Sequence, residues 1–91
     1  MNSLILLGKE KITNSVYQLV KINITGSIKK VLEIVLRDWE IRDTKFSVLI
    51  DNEYFVGNVD IDFNLLKLEK TNIIDFINNI IKVDRLGYVE G

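Results

Sequence analysis

The sequence predicts a single small α+β domain, in which an antiparallel four-stranded sheet carries two helices in the order ββαββα. Three observations lead to this class. The chain has 91 residues, of which 47% are hydrophobic, and this is enough for one core. Several segments alternate apolar and polar residues, as strands with one buried face do. Two other segments place apolar residues at helical spacing behind a residue that can cap a helix.

The first two strands are predicted to form a hairpin. Residues 3–7 are a short apolar run that stops at Gly8, and residues 9–14 are a polar connection. Residues 15–25 (SVYQLVKINIT) are rich in β-branched side chains and alternate with a period of two, interrupted only at Gln18. Alternation of this kind indicates a half-buried strand.

Residues 27–40 are predicted to form a helix, although a strand is the open alternative. Gly26 breaks the preceding strand, and Ser27 is a residue type that caps helices. Ile34 is the one apolar residue that does not fit the stripe. The run VLEIVL could instead be a buried strand, because short apolar runs do not separate the two structures. The apolar residues at helical spacing are Ile28, Val31, Leu32, Val35, Leu36 and Trp39.

A second hairpin is predicted from residues 44–50 and 54–65, joined by a turn at residues 51–53. Apolar residues alternate along both segments, and Asn tolerates the positive φ of a tight turn. The second segment contains NVDIDFN, in which we expect Asp60 and Asp62 to lie on the solvated face of the strand. An EF-hand does not fit, because its glycine and final glutamate positions hold other residue types.

A final helix is predicted after Asn72, which can cap it, with Asp75 in its first turn. Residues 85–87 should end this helix, and residues 86–91 should be a loose tail of the single domain, residues 1–91. Both helices are expected to cover one face of the sheet. The apolar stripe of this helix comprises Ile73, Phe76, Ile77, Ile80 and Ile81.

The composition favours binding over catalysis. Cysteine and histidine are absent, which excludes thiolate chemistry, zinc fingers and a histidine base. We see no arrangement of the remaining polar residues typical of a catalytic, cofactor or metal site, so we expect a non-enzymatic protein without a cofactor. We also expect a cytoplasmic location, since no signal peptide or membrane span is visible. The high Ile, Asn and Lys content suggests a bacterial or phage source.

Charge is unevenly distributed around a net value of −1. The first 30 residues are basic, whereas residues 38–62 are acidic. We expect an acidic face of the sheet to bind another protein that has a basic surface. An inhibitor, immunity protein or antitoxin would have these properties. The predicted partner-binding residues are Asp51, Glu53, Tyr54, Val56, Asn58, Asp60, Asp62 and Trp39.

Two of these choices have alternatives. Trp39 is either an anchor at the edge of the core or an interface hot spot. The alternative to a partner-binding protein is a self-associating structural or assembly subunit, with a homodimer as the default. It rests on more apolar surface than one small core can hide, from Leu65, Leu66, Leu68, Ile34 and Ile74. A nucleic-acid-binding module is a third hypothesis, which we do not favour. It rests only on Lys9, Lys11, Lys21, Lys29 and Lys30.

Overall fold

The computed structural model describes residues 2–84 and confirms an α+β domain with a mostly antiparallel sheet. The described residues contain six strands and two helices, so the predicted four strands and the order ββαββα are wrong in detail. In chain order the elements are β1 (Asn2–Glu10), β2 (Val16–Ile24), α1 (Ile28–Asp38), β3 (Thr44–Ile50), β4 (Glu53–Val59), β5 (Leu65–Lys70), α2 (Ile73–Asn78) and β6 (Ile81–Val83).

The sheet has the strand order β2-β1-β3-β4-β5, and every neighbouring pair in this path is antiparallel. β1 pairs with β3 only from Leu4 to Leu6. Farther along β1, Gly8 pairs instead with Ile81 of β6, in parallel. β1 therefore pairs with two different strands along its length, β3 first and then β6.

The first hairpin is confirmed, but Gly8 lies inside β1 rather than at its end. The register shifts opposite Leu6 and Leu7, so that Leu19 is an extra residue in β2. A Cβ on Gly8 would lie 2.8 Å from Cδ1 of Leu19. Gly8 thus makes room for the bulged side chain, and this bulge also explains the break in alternation at Gln18.

Helix α1 is confirmed and the strand alternative for residues 27–40 is wrong. The Ser27 side chain caps the helix by accepting a hydrogen bond from the Lys30 N–H at 3.2 Å. Leu32 and Leu36 are fully buried against the sheet, whereas the misfit Ile34 is exposed. The stripe therefore packs on the core formed by β1, β3 and β4.

The second hairpin is confirmed as β3 and β4. Asp51 and Asn52 adopt left-handed φ values of 51° and 63°, which a two-residue hairpin turn requires. Phe46 and Val48 of β3 are fully buried in the core. Gly57 of β4 pairs with Phe46, whose ring occupies the space above the glycine.

Strand β4 ends at Val59, so the prediction that Asp60 and Asp62 lie on a strand is wrong. Residues 60–64 form a loop, and Leu65–Lys70 return as β5, which was not predicted. β5 has an extra residue, Leu66, because Asn58 pairs with Lys67 while Val59 pairs with Leu65. This bulge disrupts the alternation that would reveal a strand.

The last predicted helix is also shorter than expected. Asn72 caps α2 as predicted, by accepting the Asp75 N–H at 2.8 Å. The helix ends at Asn78, and Ile81 belongs to β6 instead. Two consecutive asparagines at 78 and 79 compete for backbone hydrogen bonds and favour this early end. The expected tail at residues 86–91 lies outside the described residues.

The helices lie on opposite faces of the sheet, so the expectation of one covered face is wrong. Side chains alternate along β3, so Ser47 points away from the core that holds Phe46 and Val48. The Ser47 hydroxyl donates a hydrogen bond to the carbonyl of Phe76 in α2. Phe76 is buried and its ring centroid lies 4.8 Å from that of Tyr54.

Membrane-spanning helices are not found in the described part of the chain: neither α1 nor α2 is long and apolar enough to cross a bilayer.

Candidate functional site

The predicted partner-binding residues do not form one acidic face. Asp51 and Glu53 lie at the start of β4, and Asp60 and Asp62 follow its end. β4 has seven residues, and at about 3.3 Å per residue its ends are roughly 20 Å apart. The acidic residues therefore occupy two separate ends of the molecule.

The charges at the start of β4 have partners within the chain. The Asp51 carboxylate accepts the Ser3 N–H at 2.8 Å, and the Asp51 N–H donates to the Ser3 carbonyl at 2.8 Å. Glu53 forms an exposed ion pair with Lys70, with 3.3 Å between Nζ and Oε1. The Asp51 contacts connect the β3–β4 turn to β1, and the Glu53 ion pair connects β4 to β5, so these acidic side chains have roles within the fold.

Tyr54, Val56 and Asn58 lie on the face of the sheet that carries α2. Tyr54 contacts Phe76 but keeps 38% of its surface exposed. Asn58 pairs in register with Lys45 on one side and Lys67 on the other. The outer face of β4 is thus partly covered by a helix and flanked by lysines, which differs from the acidic stripe that the sequence suggested.

The loop at residues 60–64 is organised by the Asp60 carboxylate. This carboxylate accepts hydrogen bonds from the Asn64 N–H at 2.8 Å, the Asn64 side-chain amide at 3.2 Å and the Asp62 N–H at 2.9 Å. The bond from the Asn64 N–H is the main reason why the pKa of Asp60 lies below its usual value. Asp62 has no ion-pair partner among residues 2–84.

The segment after α1 is fixed beside this loop. Ile41 is buried, and its N–H donates to the Leu36 carbonyl at 2.9 Å. The Asp43 N–H donates to the Asp60 carbonyl at 3.1 Å, which ties residues 39–43 directly to residues 60–64. We call the surface formed by these two segments, together with Arg37 in the last turn of α1, the loop end.

The loop end presents large apolar side chains to solvent. Trp39 is 36% exposed, and Ile61, at the tip of its loop, is 52% exposed. Of the predicted partner-binding residues, Trp39 lies on one segment of this end, and Asp60 and Asp62 lie on the other. Trp39 also lines a hollow of about 390 Å³ with Ile41, Arg42 and residues 81–84 of the chain.

Two arginines that the sequence reasoning missed lie over the ring of Phe63. The guanidinium carbons of Arg37 and Arg42 are 4.8 Å and 5.6 Å from the ring centroid. With Glu40 they line an open groove of about 440 Å³. No local pattern brings Arg37 and Arg42 together, since they belong to a helix and to a loop. The density of Asp and Asn at residues 60–64 was a turn signal that could have located Phe63 in the loop.

The described residues offer open surfaces at the loop end. Within the described residues 2–84, no group of three or more acidic side chains is placed to hold a metal ion. The grooves at the loop end are open and lined by charged side chains. An arrangement of this kind suits contact with a macromolecule better than enclosure of a small ligand.

No family model matches the chain, and neither the curated proteins nor the solved structures contain a significant match. A proposal about the function of this chain therefore depends on the geometry of the chain itself.

Proposed function

We propose that this chain is a small non-enzymatic protein-binding module that docks on its partner through the loop end. The observation that carries the proposal is the exposure of Trp39 and Ile61 on two segments that a hydrogen bond holds together. Tryptophan and arginine are enriched among residues that dominate binding energy. A fixed backbone also lowers the entropy cost of association.

The charges of the loop end support a protein partner with a basic surface. Asp38, Glu40, Asp43 and Asp62 are exposed or partly exposed around the apolar residues. Opposite charges on a partner would speed the encounter and fix its orientation. An inhibitor, immunity or antitoxin-type protein acts in this way, and these remain the forms of the module that we propose.

A cytoplasmic location is part of the proposal, supported by a chain that has no cysteine for disulfides.

Affinity capture from the native cells, followed by mass spectrometry, tests the proposal. Ile61→Ser and Asp62→Lys change exposed loop side chains and should each reduce recovery of the partner. Glu69→Lys, a charge reversal on β5, is the matched control and should recover as much partner as the original chain. Circular dichroism checks that all baits are folded.

The outcomes separate the hypotheses. One partner that is lost with the loop variants and kept with the control supports docking through the loop end. If every bait recovers the partner, the contact with the partner lies outside the loop end. Recovery of the chain alone would favour a self-associating subunit, for which the specific support is the exposure of Ile74, Leu66 and Ile34, at 67%, 62% and 60%. Leu65 and Leu68 instead pack against the core.

A further inference from the structure

Arg37 and Arg42 are permanent positive charges that form no salt bridge in the described part of the chain, although the charge of Arg37 helps to lower the pKa of Glu33. Among residues 2–84 neither of them forms an ion pair, although Glu40 lines the same groove. A guanidinium group stays protonated in proteins. Both arginines therefore hold charged N–H donors at the surface, available to an external acceptor.

The ring of Phe63 positions these donors. A guanidinium that lies over an aromatic ring is attracted by it and keeps its N–H edge free for hydrogen bonds. Phe63 itself adopts a φ of 65° in the loop that the Asp60 carboxylate organises. The groove is thus built from three segments of fixed backbone: the end of α1, residues 39–43 and residues 60–64.

The charged side chains near the groove favour a carboxylate over a row of phosphates as the bound anion. Glu40 lines the groove, and the exposed carboxylates at positions 38, 43 and 62 lie on the three segments that form it. A nucleic acid has a dense row of phosphates, and such a row would bring several negative charges toward these carboxylates. A single carboxylate carries one negative charge, which the two arginines outweigh against Glu40, and its planar shape matches the guanidinium edge.

We propose that the groove formed by Arg37, Arg42 and Phe63 is a carboxylate-binding subsite that receives an Asp or Glu side chain of the protein partner. This inference rests on the proposed function and deepens it. The partner surface would then be mixed, with basic groups facing Asp62 and Asp43 and an acidic side chain entering the groove.

Nuclear magnetic resonance of the free, ¹⁵N-labelled chain tests the subsite. The probe is a short blocked peptide with one glutamate, and its glutamine counterpart is the control. We expect the Nε–H signals of Arg37 and Arg42 to shift with the glutamate peptide only. Arg37→Gln or Arg42→Gln should each weaken binding by about tenfold, since each removes charged hydrogen bonds. Neutralising Lys45 and Lys67 to glutamine should leave the affinity unchanged.

Three results would overturn the subsite: equal shifts with both peptides, an unchanged affinity in the arginine variants, or shifts that appear with inorganic phosphate or a single-stranded oligonucleotide but not with the glutamate peptide. The titration needs no partner, so its failure is distinguishable from failure of the proposed function. If capture through Ile61 and Asp62 succeeds while the titration fails, the binding module stands and the carboxylate subsite falls.

Discussion

Gly57 shows how a single residue determines the packing of the core. Its position in β4 is directly opposite Phe46, and a Cβ there would overlap the tip of the Phe46 ring. A glycine inside a strand usually weakens it, unless another group occupies the space above the backbone. Here the space is filled by a fully buried aromatic ring, so the glycine is required by packing.

Gly57→Ala should therefore destabilise the chain, by about 1–3 kcal/mol as is usual for overpacked cores. Urea denaturation followed by circular dichroism measures the change. Phe46→Leu removes the tip of the ring, so the double variant should be more stable than the sum of the two single effects predicts. Additive effects would show that the two side-chain positions do not compete for space.

Asp60 and Asp62 show the limit of residue patterns. Their alternation with Ile61 and Phe63 has the period of a strand, yet the segment is a loop. The hydrogen bonds of the Asp60 carboxylate to positions 62 and 64 stabilise a turn that an alternation count does not detect. The structure therefore separates the two residues: Asp60 shapes the loop, and Asp62 is available at the surface.

At the scale of elements, Glu33 connects α1 to β5. Its carboxylate accepts hydrogen bonds from Lys29 Nζ at 2.9 Å and from the Leu65 N–H at 2.7 Å. The bond from Lys29, followed by that from Leu65, holds the pKa of Glu33 below its usual value of 4.5. The link therefore depends on the ionised form of the carboxylate.

The pH dependence of stability tests this link. Because the pKa is lowered on folding, the contribution of Glu33 is present above its unfolded value of about 4.5 and is lost as pH falls through the lower folded value. Glu33→Gln should lower the unfolding midpoint in urea at neutral pH, and the difference from the original chain should shrink as the pH falls below 4.5. Glu69→Gln, in an exposed ion pair with Lys67, should have a smaller effect. A difference that stays constant with pH would contradict this role.

The elements that the sequence predicts correctly depend on local signals. Ser27 and Asn72 cap the helices as expected, and Asp51 and Asn52 form the hairpin turn. The missed strands depend on distant pairing: β6 is defined by its contact with β1, and β5 is obscured by the bulge at Leu66. Neither feature has a signature within its own residues, because a short strand is stabilised by its neighbours.

At the scale of the whole molecule, the opposite placement of the two helices determines which surfaces are free. α1 covers the core face, and α2 partly covers Tyr54 on the other face. Both faces of the sheet are thus in part occupied, and the loop end is a surface where exposed apolar and charged side chains combine. The convergence of Arg37, Arg42 and Phe63 there could not be predicted, since it depends on how three separate segments meet.

Trp39 would report directly on contact between the loop end and the partner, because it is the only tryptophan in the chain. We would incorporate fluorotryptophan and follow its single ¹⁹F signal while adding the partner obtained by affinity capture. We expect the signal to shift or broaden as the complex forms, and the Glu69→Lys control to behave identically. An unchanged Trp39 signal in a complex shown to be fully formed by sedimentation would contradict docking through the loop end.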